Sequence, residues 1–185
     1  MNAHLKLTPA GANLIKHFEG ILQPHGAKYK AYKCPAGVTT IGWGTTSEYG
    51  HKISHDTVWT KEQCDAAFLR DMEAFEKDVR RLVTVPLEPW QFDALVSFTY
   101  NVGAGNLAKS TLLKRVNAKD PKAHEEFKRW NKAGGKELAG LTRRRASEAL
   151  LYQHITDENY DGVADKPRAP DHPMPQAVDE PGDEA

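Results

Sequence analysis

A chain of 185 residues, 39% apolar and 27% charged, is long enough for one domain with its own core, or one domain and a tail. Its two cysteines exclude a disulfide framework and read as free thiols from a reducing compartment. No stretch reaches the roughly 20 apolar residues of a membrane span, and the N-terminus lacks a signal-like apolar run.

The formal net charge of zero hides an asymmetry. Residues 161–185 hold seven acids against Lys166 and Arg168, a net of −5, so the first 160 residues carry +5. A mildly basic body favours an anionic partner, although a solvated charged surface has the same composition.

Thr8-Pro9 reads as a helix cap with proline in the first turn. Leu14, Ile15 and Phe18 then share a helical face, and Gly20 suits the helix end after Glu19. Residues 29–46 turn to Tyr, Val, Thr, Ile and Trp broken by Pro35, Gly37, Gly42 and Gly44, the pattern of short antiparallel strands around a Cys34–Gly37 turn. Thr60 and Gln63 match a capping box before the apolar stripe Phe68, Met72, Phe75, Val79 and Leu82. Further helices are expected from Pro89 to about Asn101–Gly103, after Ser110, from Pro121 through Phe127 to Trp130, and over about 141–152. From Asp161 onward, five prolines and mostly small or acidic residues offer too little apolar surface to offset chain entropy, so a disordered tail is expected. The expected fold class is α+β: a small antiparallel sheet near the N-terminus beside a mostly helical lobe, with a cleft between them. The domain spans 1–160 and the tail 161–185.

Glu19 ends an apolar helix and precedes a glycine- and threonine-rich hairpin. A carboxyl group there is half desolvated, and desolvation favours the protonated form that a general acid needs. A structural ion pair with a later arginine is the competing reading, and placement alone favours it.

The wider pattern reverses that preference. Phe18-Glu19-Gly20, the run Ala31 to Gly44, Gln91-Phe92-Asp93-Ala94-Leu95, Tyr100-Asn101-Val102-Gly103, Ser110-Thr111-Leu112-Leu113, Trp130, Gly134-Gly135 and the arginines before Glu148 occur in one order. Together they resemble glycoside hydrolase family 24, the phage lysozymes and endolysins, over roughly residues 8–153. The resemblance implies a lysozyme-like fold and hydrolysis of the β-1,4 bond between N-acetylmuramic acid and N-acetylglucosamine. It casts Glu19 as general acid, with Cys34 and Thr40 at the positions that place the attacking water, and implies inversion. The implied partner is peptidoglycan, with no nucleic acid, metal or cofactor. A monomer in the host cytoplasm would reach the wall when a separate holin-type membrane protein opens a path.

Three departures from the family pattern matter. Cys34 stands where an aspartate is usual, and a thiol with its ordinary pKa of about 8.5 is mostly neutral and a poor base at pH 7. Cys34 is therefore read as a positioning group, with an inert buried thiol as the alternative. Fourteen residues separate Glu19 from Cys34, longer than the usual spacing, and the additional length is placed in the connection Ile21–Lys30. Thr45 stands where many relatives carry histidine, and its effect is expected on local packing.

Gln91, Asn101 and Asn106 are candidate cleft hydrogen-bonders, with helix capping the alternative for both asparagines. His51 and His55 lack a third ligand and read as surface histidines. Trp59, Trp90 and Trp130 read as core residues in helical settings. Arg143, Arg144 and Arg145 form either a solvated face or a partner for Glu19. Basic residues from Lys128 to Tyr152 leave weak contact with an anionic outer membrane open. Two other activities stay open: a lytic transglycosylase leaving 1,6-anhydro ends, and a non-catalytic wall-binding protein.

Overall fold

A computed structural model describes residues 2–20, 24–34 and 37–155. The expectation for the tail, and the interior of the Cys34–Gly37 turn, lie outside these residues.

Helix α1 (Pro9–Glu19) starts where expected, with the Thr8 hydroxyl accepting from the Gly11 N–H, and ends at Gly20, whose N–H donates to Lys16 O. Its start is pinned to the centre of the molecule. Asp93 accepts from the Thr8 N–H at 2.9 Å and also from the Thr8 hydroxyl. Burial raises the Asp93 pKa in spite of these bonds.

Strands β1 (Pro24–His25), β2 (Lys28–Lys30), β3 (Tyr32–Lys33), β4 (Thr39–Ile41), β5 (Thr45–Thr46) and β6 (Val58–Trp59) follow. They form two antiparallel sheets in the orders β1-β2-β6 and β3-β4-β5. The connection expected over 21–30 is thus partly a hairpin, with Pro24 opposite Tyr29 and His25 opposite Lys28. Gly42 packs this lobe onto the helices. Its φ is +61°, and a Cβ there would meet Cys64 Sγ at 2.8 Å, so both conformation and space call for glycine.

Thr60 and Gln63 form the expected capping box of α2 (Lys61–Leu82). Helix α3 (Pro89–Val102) runs through the core, buried from Phe92 to Thr99, which explains its apolar residues on every face. Next come α4 (Ala104–Lys109), α5 (Thr111–Asn117, capped by Ser110), a hairpin of β7 (Lys132–Ala133) and β8 (Lys136–Glu137), and α6 (Ala139–Tyr152). The helix expected from Pro121 is a 3-10 segment, Ala123–Arg129. Asp120 accepts from the Lys122 N–H with its side chain and from the Ala123 N–H with its carbonyl, which winds this stretch tightly.

Phe98 joins α3 to that segment, meeting Phe127 and Trp130 edge-on at 5.4 Å between ring centroids. Such pairs add about 0.5–1.5 kcal/mol beyond their buried area. Beyond α6 the backbone turns left-handed at His154 (φ 60°), whose ring stacks on Trp90 at 4.0 Å. Among the described residues no helix is long and apolar enough to cross a membrane.

Candidate active site

The last residue of α1 faces the middle of α6. Glu19 Oε1 accepts from Arg144 Nη1 at 2.6 Å, and the two side chains are only 9% and 5% exposed. The ion-pair reading of Glu19 is therefore realised, and Arg144 is the partner. Arg144 is itself held from behind: Nε donates to Glu148 Oε1 at 3.2 Å and Nη2 to Ser97 O at 3.3 Å.

Glu148 anchors the whole wall. Its Oε1 also accepts from the Ser97 hydroxyl at 2.7 Å and from Arg145 Nη2 at 3.0 Å. Arg145 lies over the Phe98 ring at 4.9 Å. Among the described residues, Arg145 Nη1 has no hydrogen-bond partner, while Arg145 Nε stands 2.9 Å from Glu148 Oε2 at ion-pair distance without hydrogen-bond alignment.

Two carboxylates thus meet two guanidinium groups away from water, an arrangement that balances charge but leaves a costly remainder if one member is lost. Burial pushes Arg145 down to about 10, against the pull of Glu148. Burial also acts downward on Arg144, but Glu19 and Glu148 outweigh it and hold its pKa above the usual arginine value. The reading of 143–145 as a solvated face is corrected for Arg144 and Arg145, which are 4% and 0% exposed. Neither can offer its charge to a lipid surface; Arg143 is exposed.

The β3–β4 hairpin holds the other two candidates. Tyr32 pairs with Thr40 and Lys33 with Thr39. The Cys34 N–H donates to Val38 O at 3.0 Å, and Cys34 O accepts from the Gly37 N–H at 2.7 Å. The backbone at Cys34 is therefore tied on both sides, and the residue is 6% exposed. Thr40 is fully buried, and its hydroxyl donates to Val38 O at 3.1 Å.

Tyr32 connects the two walls electrostatically. Burial, then the charges of Glu19 and Cys34, push its phenol up to about 12. Both groups therefore lie within electrostatic reach of that hydroxyl. Tyr100, at the C-terminal end of α3, is pushed well above the ordinary tyrosine value by burial and then by Glu19. Its hydroxyl donates to Trp43 O at 3.2 Å, which ties the helical wall to the strand lobe.

The remaining candidates separate. Asn101 accepts from Arg145 Nη2 at 3.0 Å, within the same buried network. Asn106 donates to Val102 O at 2.9 Å and closes the end of α3, the capping alternative. Gln91 accepts from the Glu88 N–H as part of the α3 capping box. It lies ten residues before Asn101, roughly 15 Å along the helix from the Glu19 end. The structure does not bring it to Glu19.

His51 is corrected from a surface residue to a nearly buried partner of Asp71, with Nε2 2.6 Å from Oδ1. Burial raises the Asp71 pKa against the opposing hydrogen bonds from His51 and Thr45. An imidazole from position 51 and a hydroxyl at position 45 thus serve the same carboxylate. His55 is exposed beside Asp56. Trp59 is half-buried in a strand, not a helix, while Trp130 is buried. Among the described residues no cluster of three or more His, Cys, Asp or Glu could hold a metal.

Tyr32, Asp71, Tyr100 and Glu148 were not singled out from the sequence. Glu148 carried a signal: it shares the core-facing stripe of α6 with Leu141, Arg145 and Tyr152, and an acid and a base in such a stripe mark a buried pair.

A family model for phage lysozyme matches residues 17–148, and the chain belongs to that family. It is 39% identical over 167 residues to an endolysin of Bacillus phage B103, an alignment covering 89% of this chain and 60% of that protein. The chain thus spans only about three fifths of that relative's length. Among solved structures it is similar to an endolysin from Escherichia coli O157:H7 phage FAHEc1, with a TM-score of 0.73 and 34% identity over 84% of this chain and 99% of that one. It is also similar to the muramidase domain of SpmX from Asticaccaulis excentricus, with a TM-score of 0.70 and 36% identity over 80% of this chain and 98% of that one.

Proposed function

We propose that this protein is an endolysin-type muramidase that hydrolyses the β-1,4 bond between N-acetylmuramic acid and N-acetylglucosamine in peptidoglycan, with residues 1–160 as the catalytic unit. The observation that carries the reading is the buried pairing of Glu19 with Arg144 at the end of α1; the charges of Glu19 and Cys34 both act on Tyr32, which pairs with Thr40. The endolysin and muramidase relatives support the substrate.

Glu19 gives its proton to the leaving glycosidic oxygen, and Arg144 stabilises the carboxylate left behind. Water attacks the anomeric carbon from the other face as oxocarbenium character builds, with inversion; the proton it sheds passes to solvent, from which Glu19 is reprotonated. The Thr40 proton is engaged with Val38 O, so its lone pairs are the part that receives a hydrogen from this water. Cys34 shapes the place where the water sits. The enzyme acts as a monomer, without metal or cofactor, and reaches the wall from the host cytoplasm through a separate holin-type membrane protein.

Mass spectrometry of peptidoglycan digested by wild type, Glu19→Gln and Cys34→Ala tests this. Reducing ends from wild type and none from Glu19→Gln are expected. A thiol in place of the second carboxylate favours one rival, a transglycosylase, and 1,6-anhydro ends decide for it. Equal clearing by Glu19→Gln sinks the assignment of the acid. Dye leakage from anionic vesicles exposed to Glu19→Gln reads any membrane activity.

A further inference from the structure

Two consecutive residues at the end of α3 meet two consecutive residues of α6. Asn101 Oδ1 accepts from Arg145 Nη2 at 3.0 Å, and the Tyr100 ring lies 5.9 Å from the Arg144 guanidinium carbon. The C-terminal end of a helix carries partial negative charge, a favourable place for two cations. The polar partners of Arg144 named above all lie on helices: Glu19 on α1, Ser97 on α3 and Glu148 on α6. They fix the guanidinium within the helical lobe and leave its distance from the strand lobe unspecified. Arg144 also lies over two rings, Phe18 at 5.7 Å and Tyr100 at 5.9 Å. Both are inside the roughly 6 Å over which a ring face attracts a cation.

Phe18 precedes Glu19 on α1 and moves with it. Tyr100 has a separate attachment, since its hydroxyl donates to Trp43 O at 3.2 Å. Trp43 stands between β4 and β5, in the sheet that holds Thr40. It is fully buried, and its Nε1 donates to Asp65 Oδ1 at 2.7 Å. The backbone that receives the Tyr100 hydroxyl is therefore itself anchored. Phe75 of α2 meets the Tyr100 ring edge-on at 5.1 Å. A phenylalanine at position 100 would give Arg144 the same ring without the bond to the strand lobe.

Resting on the reading of Glu19 as general acid, we infer that Tyr100 is a positioning residue for proton delivery. Its hydroxyl, fastened to Trp43 O, holds the ring against Arg144. It thereby sets Arg144, and through it Glu19, at a fixed distance from the sheet that carries Thr40. The effect falls on the chemical step, in which a proton must reach one oxygen and small misplacements are costly. Binding of the glycan strand, spread over many contacts, is little affected.

The test measures kcat and KM on soluble peptidoglycan fragments for wild type, Tyr100→Phe, Tyr100→Leu and Glu19→Gln, each checked for folding by circular dichroism. Tyr100→Phe is expected to lower kcat about three- to tenfold with KM within about twofold of wild type. Tyr100→Leu, which removes the ring as well, is expected to lower kcat further. In isotope-labelled Tyr100→Phe the Arg144 Nε–H resonance should shift, while that of Arg145, held by Asn101 and Glu148, stays in place. A wild-type kcat in Tyr100→Phe, a loss confined to KM, or a lowered kcat with an unmoved Arg144 resonance overturns the positioning role and leaves the muramidase reading in place. Wild type that releases no reducing ends, or Glu19→Gln that cleaves as fast as wild type, overturns the acid assignment and this inference with it.

Discussion

The two walls that hold the candidate site residues are built on different principles. Behind Glu19 stands a wall of long helices, where Arg144, Arg145 and Glu148 are buried and share one connected set of charged hydrogen bonds with Ser97 and Asn101. In the strand lobe, Thr40 lies on the three-residue β4 and Cys34 just after the two-residue β3, held by backbone bonds and, among the described residues, the Thr40 hydroxyl bond to Val38 O. The acid is over-determined, since moving it would break a charge network. The side that holds Cys34 and Thr40 is light by comparison. A buried charge network resists substitution at any of its members, whereas a backbone-held hairpin tolerates more than one side chain.

The sharpest way to break this contrast is to unbalance the rigid wall. Glu148→Ala leaves two buried guanidinium groups with only Glu19 to offset them, and is expected to cost about 3–5 kcal/mol by urea unfolding. A loss under 1 kcal/mol would show that the network is not the anchor. His51→Ala tests the joint between the strand lobe and α2. Removing one partner of the Asp71 pair should cost about 1.5–3 kcal/mol, read from the same unfolding curves. Thr40→Val probes the light wall directly. It is expected to cost about 1 kcal/mol while lowering glycan cleavage, so activity and stability part company there as they do not at Glu148. An equal effect on both walls would erase the distinction.

The smallest effect concerns Tyr32, the residue that senses both sides. Its folded-state pKa of about 12 lies above the ordinary value of 10.0. Between these values the unfolded chain loses the phenolic proton while the folded chain keeps it, so stability falls as pH rises through this window. Tyr32→Phe removes that contribution, and its Tm should decline less than that of wild type between pH 9.5 and 11.5 in thermal scans. Glu19→Gln should lower the Tyr32 titration point seen in phenolate absorbance. An unmoved titration would separate the two walls electrostatically.

The helices were legible because their starts carry chemical marks: Thr8 with Pro9, the Thr60–Gln63 box, Pro89 and Ser110. What escaped lacks such marks. Strands β1, β6, β7 and β8 have two residues each, too few for any alternation to register, and α4 begins after Gly103 with no side-chain cap. The same holds for the site. Glu19, Cys34 and Thr40 emerged from a family pattern, and the arginine triplet was noted without a way to choose Arg144. Asp71 and His51 stand twenty residues apart on α2 and a connecting loop, and nothing local announces that a fold will bring them together.

The left-handed turn at His154 has a practical side. It delivers the chain beside Trp90 at the start of α3, most of that helix's length from Tyr100. The described part of the chain therefore ends at the opposite end of α3 from the Glu19–Arg144 pair. A label attached at His154 or Ile155 would thus report on the start of α3 without touching the buried charge network.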